Sequence, residues 1–342
     1  MITLGIETSC DETAVAVLQN SRKILSDVIF SSLKEHKKFG GVVPEIASRS
    51  HLENLLDVLD GALRKAKISL DQVDLIASTR GPGLMGSLLV GLSAAKALAL
   101  SLKKPFVGVD HVIAHVYSGF LSDPALKFPV LGLVVSGGHT LLIKMASPSR
   151  YEVLGRTLDD AAGEAFDKVA KILGLGYPGG PEIDRLSRGV DAKKVLFARP
   201  YLSKDSLDFS FSGIKTAVLY RVGAGLVPAQ TRAATRVAPA IRKQICAGFQ
   251  EAVCDVLVRK AVHAAKTHRL KSIVVGGGVS ANSRLRRLLG HAAGKEGLKV
   301  VFPSLTLCQD NAAMIAALGH ALYKEGKRDS LDLAAYAKFQ WK

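Results

Sequence analysis

Short apolar runs of strand character alternate along the chain with longer runs of helical period, the pattern of an α/β fold. "ITLGIE" and "AVAVLQ" read as two strands around the small polar stretch "TSCDET". "VLGLVV" and "LLIKM" read as two more around "SGGHT". With an offset of 127 residues Leu4 falls on Leu131, Gly5 on Gly132, Ser9 on Ser136 and Thr13 on Thr140. Ile6 then meets Leu133, and Val15 meets Leu142. The match predicts an internal duplication: two lobes, each opening with a strand, a polar turn and a second strand. "SIVVGGGVSANSRLRRL" reads as a buried strand, a triple-glycine turn and a helix opening near Ser280. "AAGEAFDKVAKIL" reads as a helix that "GLGYPGGP" ends. Around it Asp160, Glu164, Asp167 and Lys171 recur at spacings of four, three and four, so they share a face.

The most apolar stretch, "GSLLVGLSAAKALALSL", contains Lys96 and many small residues, so it predicts a buried helix and not a membrane span. "VDHVIAHVYSGF" sets His111 and His115 four residues apart in an apolar run. On a helix both imidazoles point the same way. They are either two satisfied core histidines or two metal ligands waiting for a third, and the spacing alone does not decide.

At 342 residues, 48% hydrophobic and 22% charged, the chain can bury a large core and is not disordered. "MITLGIETS" opens on a strand pattern with no basic region or cleavage site, so no targeting segment is expected. Cys10, Cys246, Cys254 and Cys308 have no CxxC spacing, which argues against a zinc ribbon or a disulfide framework and fits a reducing cytoplasm. The net charge of +16 is unevenly placed. Between Arg221 and Val300 fifteen Lys and Arg face three acids (Glu251, Asp255, Glu296), leaving +12 in that window. Such a concentration points to a polyanion, foremost a nucleic acid.

Turns rich in Ser, Gly and Thr present free N–H groups and hydroxyls that can hold phosphate oxygens. Three such turns at strand ends, in two echoing lobes, point to nucleotide binding. The triple-glycine turn is neither GxGxxG in a βαβ unit with a distant acid nor GxxxxGK[ST], which argues against a Rossmann dinucleotide site and a P-loop there. Asp167 is the acid best suited to ribose hydroxyls or metal-bound water, and Gly179 and Gly180 allow close approach of a sugar or base.

Nine stretches then carry a resemblance: "GIETSCDET", "GGVVPEIASRSH", "GPGLMGSLLVGL", "DHVIAH", "LVVSGGHT", "DDAAGEAFDKVAKILGLGYPGGP", "DFSFSGIKTA", "VVGGGVSAN" and "CQDNAAMIA". In this order they resemble the signatures of the tRNA N6-adenosine threonylcarbamoyltransferase family, TsaD in bacteria. The resemblance implies a two-lobed actin/Hsp70/sugar-kinase (ASKHA) fold with duplicated RNase H-like lobes around a cleft. The lobes are expected at 1–128, with a C-terminal helix 312–342 packing back on the first, and at 129–311, with nucleotide and metal at the interface. It implies transfer of threonylcarbamoyl from threonylcarbamoyl-AMP to N6 of adenosine 37, beside the anticodon, in tRNAs reading codons that begin with A.

By resemblance His111, His115 and Asp310 hold one divalent metal ion, iron(II) in the first place and zinc as the alternative. Two imidazoles and a carboxylate leave open positions for a substrate oxygen. The donor contacts carry over onto Val134, Val135, Ser136, Gly137, Gly138, Asp167, Gly180, Asp184 and Asn282. Archaeal and eukaryotic members have a tyrosine where this chain has Val134, so the chain is bacterial in type and gains no fourth protein ligand there. Asp11, in the first turn, is the candidate for orienting the acceptor amine or a phosphate-bound water. Cys10 beside it reads as a packed small residue. Arg284, Arg286 and Arg287 are the candidates for tRNA phosphates. The family's bacterial members work with a paralogue (TsaB) and a small ATPase (TsaE), in the cytoplasm and without a membrane.

Among rival readings, a metalloprotease would need Glu after the first histidine, and Val112 stands there. A small-molecule kinase or ATPase of the same fold needs neither the histidine pair nor the basic window. A silent binding subunit has no reason to keep all three ligands.

Overall fold

The computed structural model describes residues 1–200, 206–223 and 238–339. In chain order the strands are β1 (Ile2–Glu7), β2 (Glu12–Gln19), β3 (Lys23–Ser31), β4 (Leu75–Gly81), β5 (Phe106–Asp110), β6 (Val130–Val135), β7 (Thr140–Met145), β8 (Tyr151–Arg156), β9 (Ser272–Gly276) and β10 (Lys299–Val301). The helices are α1 (Leu33–Lys37), α2 (Pro44–Ala66), α3 (Met85–Leu102), α4 (His111–Ser122), α5 (Ala162–Ile172), α6 (Gly179–Ser187), α7 (Ser212–Gly223), α8 (Pro239–Thr267), α9 (Ser283–Lys295), α10 (Leu305–Cys308) and α11 (Ala312–Lys324). The strands form two sheets, ordered β3-β2-β1-β4-β5 and β10-β9-β6-β7-β8.

The two sheets repeat one topology. In the first, β1 is antiparallel to β2 and parallel to β4. In the second, β6 is antiparallel to β7 and parallel to β9. The expected echo extends to register: Ile6 pairs with Val15, and their counterparts Leu133 and Leu142 pair with each other. Each inner strand is buried on both faces, so β1 and β6 read as continuous apolar runs instead of alternating ones.

The chain divides into two compact units. The first comprises Met1–Phe128, Ala146–Tyr151 and the segment from Pro303 onward; the second comprises Pro129–Met145 and Glu152–Phe302. In the first unit Leu4, Ile6, Val15, Val17, Ile76 and Leu92 form one apolar core with Leu55 and Val58 of α2. In the second, Phe166, Phe209, Phe211 and Phe249 anchor another. At roughly 1.5–3 kcal/mol for each large apolar side chain buried, cores of this size dominate the stability of both units.

Three expectations change. Residues 303–311, expected with the second lobe, group with the first unit, and Asp310 goes with them. The terminal helix ends at Lys324, not 342: Gly326 turns the chain at φ +94, and residues 340–342 lie outside the described ones. The apolar helix α3 is long and apolar enough to cross a membrane by length and composition. It is buried on one face only, through Leu88, Leu92, Ala95 and Ala99, while Met85, Leu89 and Leu100 are exposed.

Candidate functional site

Helix α4 begins on the residue after β5. Asp110, the last residue of that strand, caps it, accepting from Ile113 N at 2.9 Å. His111 therefore starts the first turn and His115 sits one turn on, both buried. Asp310 stands between α10 and α11. Its neighbour Asn311 fixes the backbone there, accepting from Met314 N and donating to Gln309 O at 2.7 Å. Asp310 Oδ1 lies 3.5 Å from His111 Nε2 and 3.2 Å from His115 Nε2. The three groups offer ligand atoms within 4.8 Å of one another. All three belong to the first unit. Two imidazole Nε2 atoms converging on one carboxylate oxygen fit a divalent cation with N/O preference.

One residue of this site escaped the sequence reading. Glu7 is fully buried at the end of β1, and its Oε2 lies 3.0 Å from His111 Nδ1. Thr79 Oγ1 donates to the same oxygen at 2.6 Å, and Ser9 N donates to Oε1 at 2.5 Å. Burial acts to raise Glu7, but the His111 imidazole outweighs it and holds the carboxyl below its ordinary range. Burial acts to depress His111, but Asp310 and Glu7 push it up to about 9. Glu7 is thus an ionised acceptor for Nδ1–H, and Nε2 is the nitrogen turned toward a cation. His115 is held below its ordinary value by burial, and its Nδ1 is buried without a hydrogen-bond partner among the described residues. The signal for Glu7 in the sequence was an acid closing an otherwise apolar strand.

Asp11 lies in the turn between β1 and β2, and two buried histidines brace that turn. Val43 N donates to His36 Nδ1, so His36 Nε2 carries the proton and donates to Ser32 Oγ at 3.0 Å. The Ser32 hydroxyl in turn donates to the Asp11 carbonyl at 2.9 Å. His51 Nε2 donates to the Cys10 carbonyl at 3.0 Å, so its Nδ1 accepts from Thr13 Oγ1 at 2.7 Å. Burial, with Asp310 and Asp11 nearby, pushes the Glu12 carboxyl up to about 10. Burial likewise pushes the Cys10 thiol far up, which suits a packed residue and not a nucleophile.

In the second unit the residues expected around the nucleotide are brought together by a chain of contacts. Val134 and Val135 are buried in β6, and Gly137 and Gly138 are exposed in the turn that follows. Ser136 O accepts from Gly163 N at 3.1 Å, which sets α5 against that turn. Asp167 on α5 accepts from Gly179 N at 2.7 Å, at the start of α6. Burial still leaves its carboxyl above the ordinary range. Gly180 follows, where a Cβ would come no nearer than 4.0 Å to Phe166 Cβ. Asp184, one turn on, accepts from Ser283 Oγ at 2.7 Å at the start of α9. Gly277, at φ +86, closes the circle: a Cβ there would stand 2.5 Å from Val135 O.

The helix expected to open near Ser280 opens at Ser283, after a 3-10 turn over Gly278–Ala281. Asn282 is its cap. Its Oδ1 accepts from Arg284 N and Leu285 N, both at 3.0 Å, and its Nδ2 donates to Gln250 Oε1 at 2.8 Å. The residue expected to touch the donor is engaged in holding α9. Beside it a cavity of about 450 Å³ is lined by Ser187, Gln250, Glu251, Ser283, Arg284 and Arg287, among others.

A family model described as "TsaD: tRNA N6-adenosine threonylcarbamoyltransferase" matches residues 23–317. The chain belongs to this family. It is 53% identical over 329 residues to the "tRNA N6-adenosine threonylcarbamoyltransferase" of Thermosipho africanus strain TCF52B, covering 95% of this chain and 96% of that one. It is 50% identical over 335 residues to the protein of that description from Symbiobacterium thermophilum, covering 98% and 95%. Among solved structures it is similar to T. kodakarensis HypF, with TM-score 0.62 and 13% identity over 95% of this chain and 48% of that one. It is also similar to component A of the Acidaminococcus fermentans (R)-2-hydroxyglutaryl-CoA dehydratase, with TM-score 0.55 and 16% identity over 96% and 100%. At these identities the structures speak for the two-lobed ASKHA fold alone.

Of the three arginines expected to face tRNA in this family member, two are already occupied. Arg284 grips Glu251 with two hydrogen bonds, Nη2 to Oε1 at 2.7 Å. Arg286 Nε donates to Ser280 O at 2.7 Å, and its guanidinium lies over Phe302 at 4.9 Å. Arg287 is exposed at the cavity. Part of the basic window, 224–237 with Arg232 and Arg236, lies outside the described residues.

Proposed function

We propose that this protein transfers the threonylcarbamoyl group of threonylcarbamoyl-AMP to N6 of adenosine 37 in tRNAs reading codons that begin with A. The observation that carries this reading is the convergence of His111, His115 and Asp310 in a chain of this family. These residues would hold one iron(II) ion, with zinc as the alternative. When bound, such an ion acts as a Lewis acid toward the carbamoyl carbonyl.

The rest falls to the chain. Val134, Val135, Ser136, Gly137 and Gly138 would hold the phosphate end of the donor through backbone N–H groups. Asp167, Gly180 and Asp184 would meet its ribose, and Asn282 supports them by fixing the start of α9. Adenine N6 is a poor nucleophile, so orientation of the amine carries much of the rate, and the braced Asp11 turn suits that task. Arg287 is the side chain left to meet a tRNA phosphate. The partners by family are a TsaB-type paralogue and a TsaE-type ATPase, and the reaction belongs in the cytoplasm. An apolar face suited to a protein partner exists on the first unit, where Leu52 and Leu56 of α2 and Met85 and Leu89 of α3 are exposed.

The test is a nucleoside digest of tRNA from a strain depleted of this protein. Loss of threonylcarbamoyladenosine, restored by the wild-type chain and not by His115→Ala, is the expected result. Persistence of the modified nucleoside on depletion overturns the reading.

A further inference from the structure

The stretch after α11 runs as a strap along the edge strand β5, starting beside its first residue, and on to the C-terminal end of β4. Asp329 N donates to Phe106 O at 2.9 Å, and Asp329 Oδ2 accepts from Gly108 N at 2.8 Å. Gly108 leaves room for this passage, since a Cβ there would stand 2.3 Å from Leu333 Cδ2. Lys96 Nζ holds Leu333 O at 2.6 Å. Farther on, Tyr336 N donates to Arg80 O at 3.0 Å, and Gly83 N donates to Ala337 O at 3.2 Å. The Tyr336 ring lies under the Arg80 guanidinium, 5.1 Å from ring centre to carbon. That places the Tyr336 hydroxyl 2.5 Å from Asp110 Oδ2.

Asp110 thereby has one carboxylate oxygen on each side of a junction. Oδ1 caps α4 through Ile113 N, and Oδ2 receives the strap. No lysine or arginine pairs with Asp110 among the described residues, so the tyrosine hydroxyl is the side-chain donor that anchors this carboxylate. His111 is the next residue in the chain. Its imidazole must meet Glu7 on one nitrogen and face Asp310 with the other, so a loosened first turn would disturb both.

We propose that Tyr336 is a positioning residue for the metal-binding helix: through Asp110 the C-terminal strap fixes the first turn of α4 and so sets the metal affinity of the His111, His115 and Asp310 site. Tyr336 touches no ligand atom; it acts through the cap. The proposal rests on the metal reading of that triad.

The experiment compares the purified full-length wild type with Tyr336→Phe and with His115→Ala. Phenylalanine keeps the ring under Arg80 and every backbone bond of the strap, and removes only the hydroxyl. Each protein is stripped and titrated with iron(II) under anaerobic conditions, and backbone amide exchange is followed in parallel. Tyr336→Phe should bind the metal about tenfold more weakly, the lower end of what outer-shell partners contribute. The amides of His111–His115 should exchange faster, with the midpoint of thermal unfolding nearly unchanged. Wild-type affinity in Tyr336→Phe, while His115→Ala has lost binding, overturns the proposal and leaves the metal reading standing. Undiminished binding in His115→Ala overturns the metal reading. In that case the exchange of the α4 amides still decides whether the hydroxyl holds the helix, and unchanged exchange refutes that too.

Discussion

Glu7 shows how much one buried carboxylate can organise. It receives Ser9 N, Thr79 Oγ1 and His111 Nδ1, and so fixes the tautomer and direction of an imidazole placed where it could hold a metal. Glu7→Gln keeps the shape and removes the charge. It should weaken metal binding by roughly 10–100-fold while the fold persists, as read by metal titration beside circular dichroism. Wild-type affinity in this variant would deny Glu7 the role. At Asp27 on β3, burial pushes the carboxyl up to about 6, against the opposing N–H groups of Ala312 and Ala313 and the charge of Lys65. A carboxyl raised on folding stabilises the protonated folded state. Its favourable share is therefore complete below the ordinary value near 3.8 and is lost as pH rises through about 6. The loss amounts to about 3 kcal/mol by pH 7. Asp27→Asn should remove it, so the stability of the variant relative to wild type should climb between about pH 4 and pH 6 in urea unfolding and level off above that. A difference that is flat with pH would show that Asp27 titrates normally.

At the scale of elements, side chains of one helix secure the ends of another. Asp167 of α5 meets the first N–H of α6, Asp184 of α6 meets the first residue of α9, and Asn282 caps α9 while reaching Gln250 on α8. Asn282→Ala should lower the unfolding free energy by about 2 kcal/mol, from a lost cap and an unpaired Gln250 amide. Asn282→Asp, which keeps the capping oxygen, should recover part of that in chemical denaturation. If both variants are as stable as wild type, α9 does not depend on this cap. "GGGVSAN" was legible as a turn leading into a helix. The point where the helix begins was not, because the choice between Ser280 and Ser283 depends on which side chain finds the orphan N–H groups.

For the whole molecule the charge of +16 keeps its meaning as attraction for a polyanion, but the arginines do not share it equally. Arg284 is neutralised by Glu251, and Arg286 is tied to Ser280 and Phe302. Reversing either would first damage the second unit. Arg287→Glu should leave the fold intact, weaken tRNA binding, and reduce the slope of log affinity against log salt by about 0.7–0.9, one phosphate contact. An unchanged slope would move the tRNA surface away from this helix.

The sequence by itself determined the two echoing lobes and their opening hairpins, because a buried strand must present apolar residues and a duplicated pattern keeps its spacing; which residues pair within each hairpin came from the structure. It also singled out His111 and His115 as a pair in an apolar run, and the likeness of "CQDNAAM" to the family's signature added Asp310. Only the tertiary structure decided that Asp310 folds with the first unit, that Glu7 stands behind His111, that Tyr336 reaches Asp110 from the far end of the chain, and that Arg284 is already paired. Each of these joins residues distant in sequence, through a hydrogen bond or a charge whose strength depends on distance and burial. Neither quantity is written in the order of the residues.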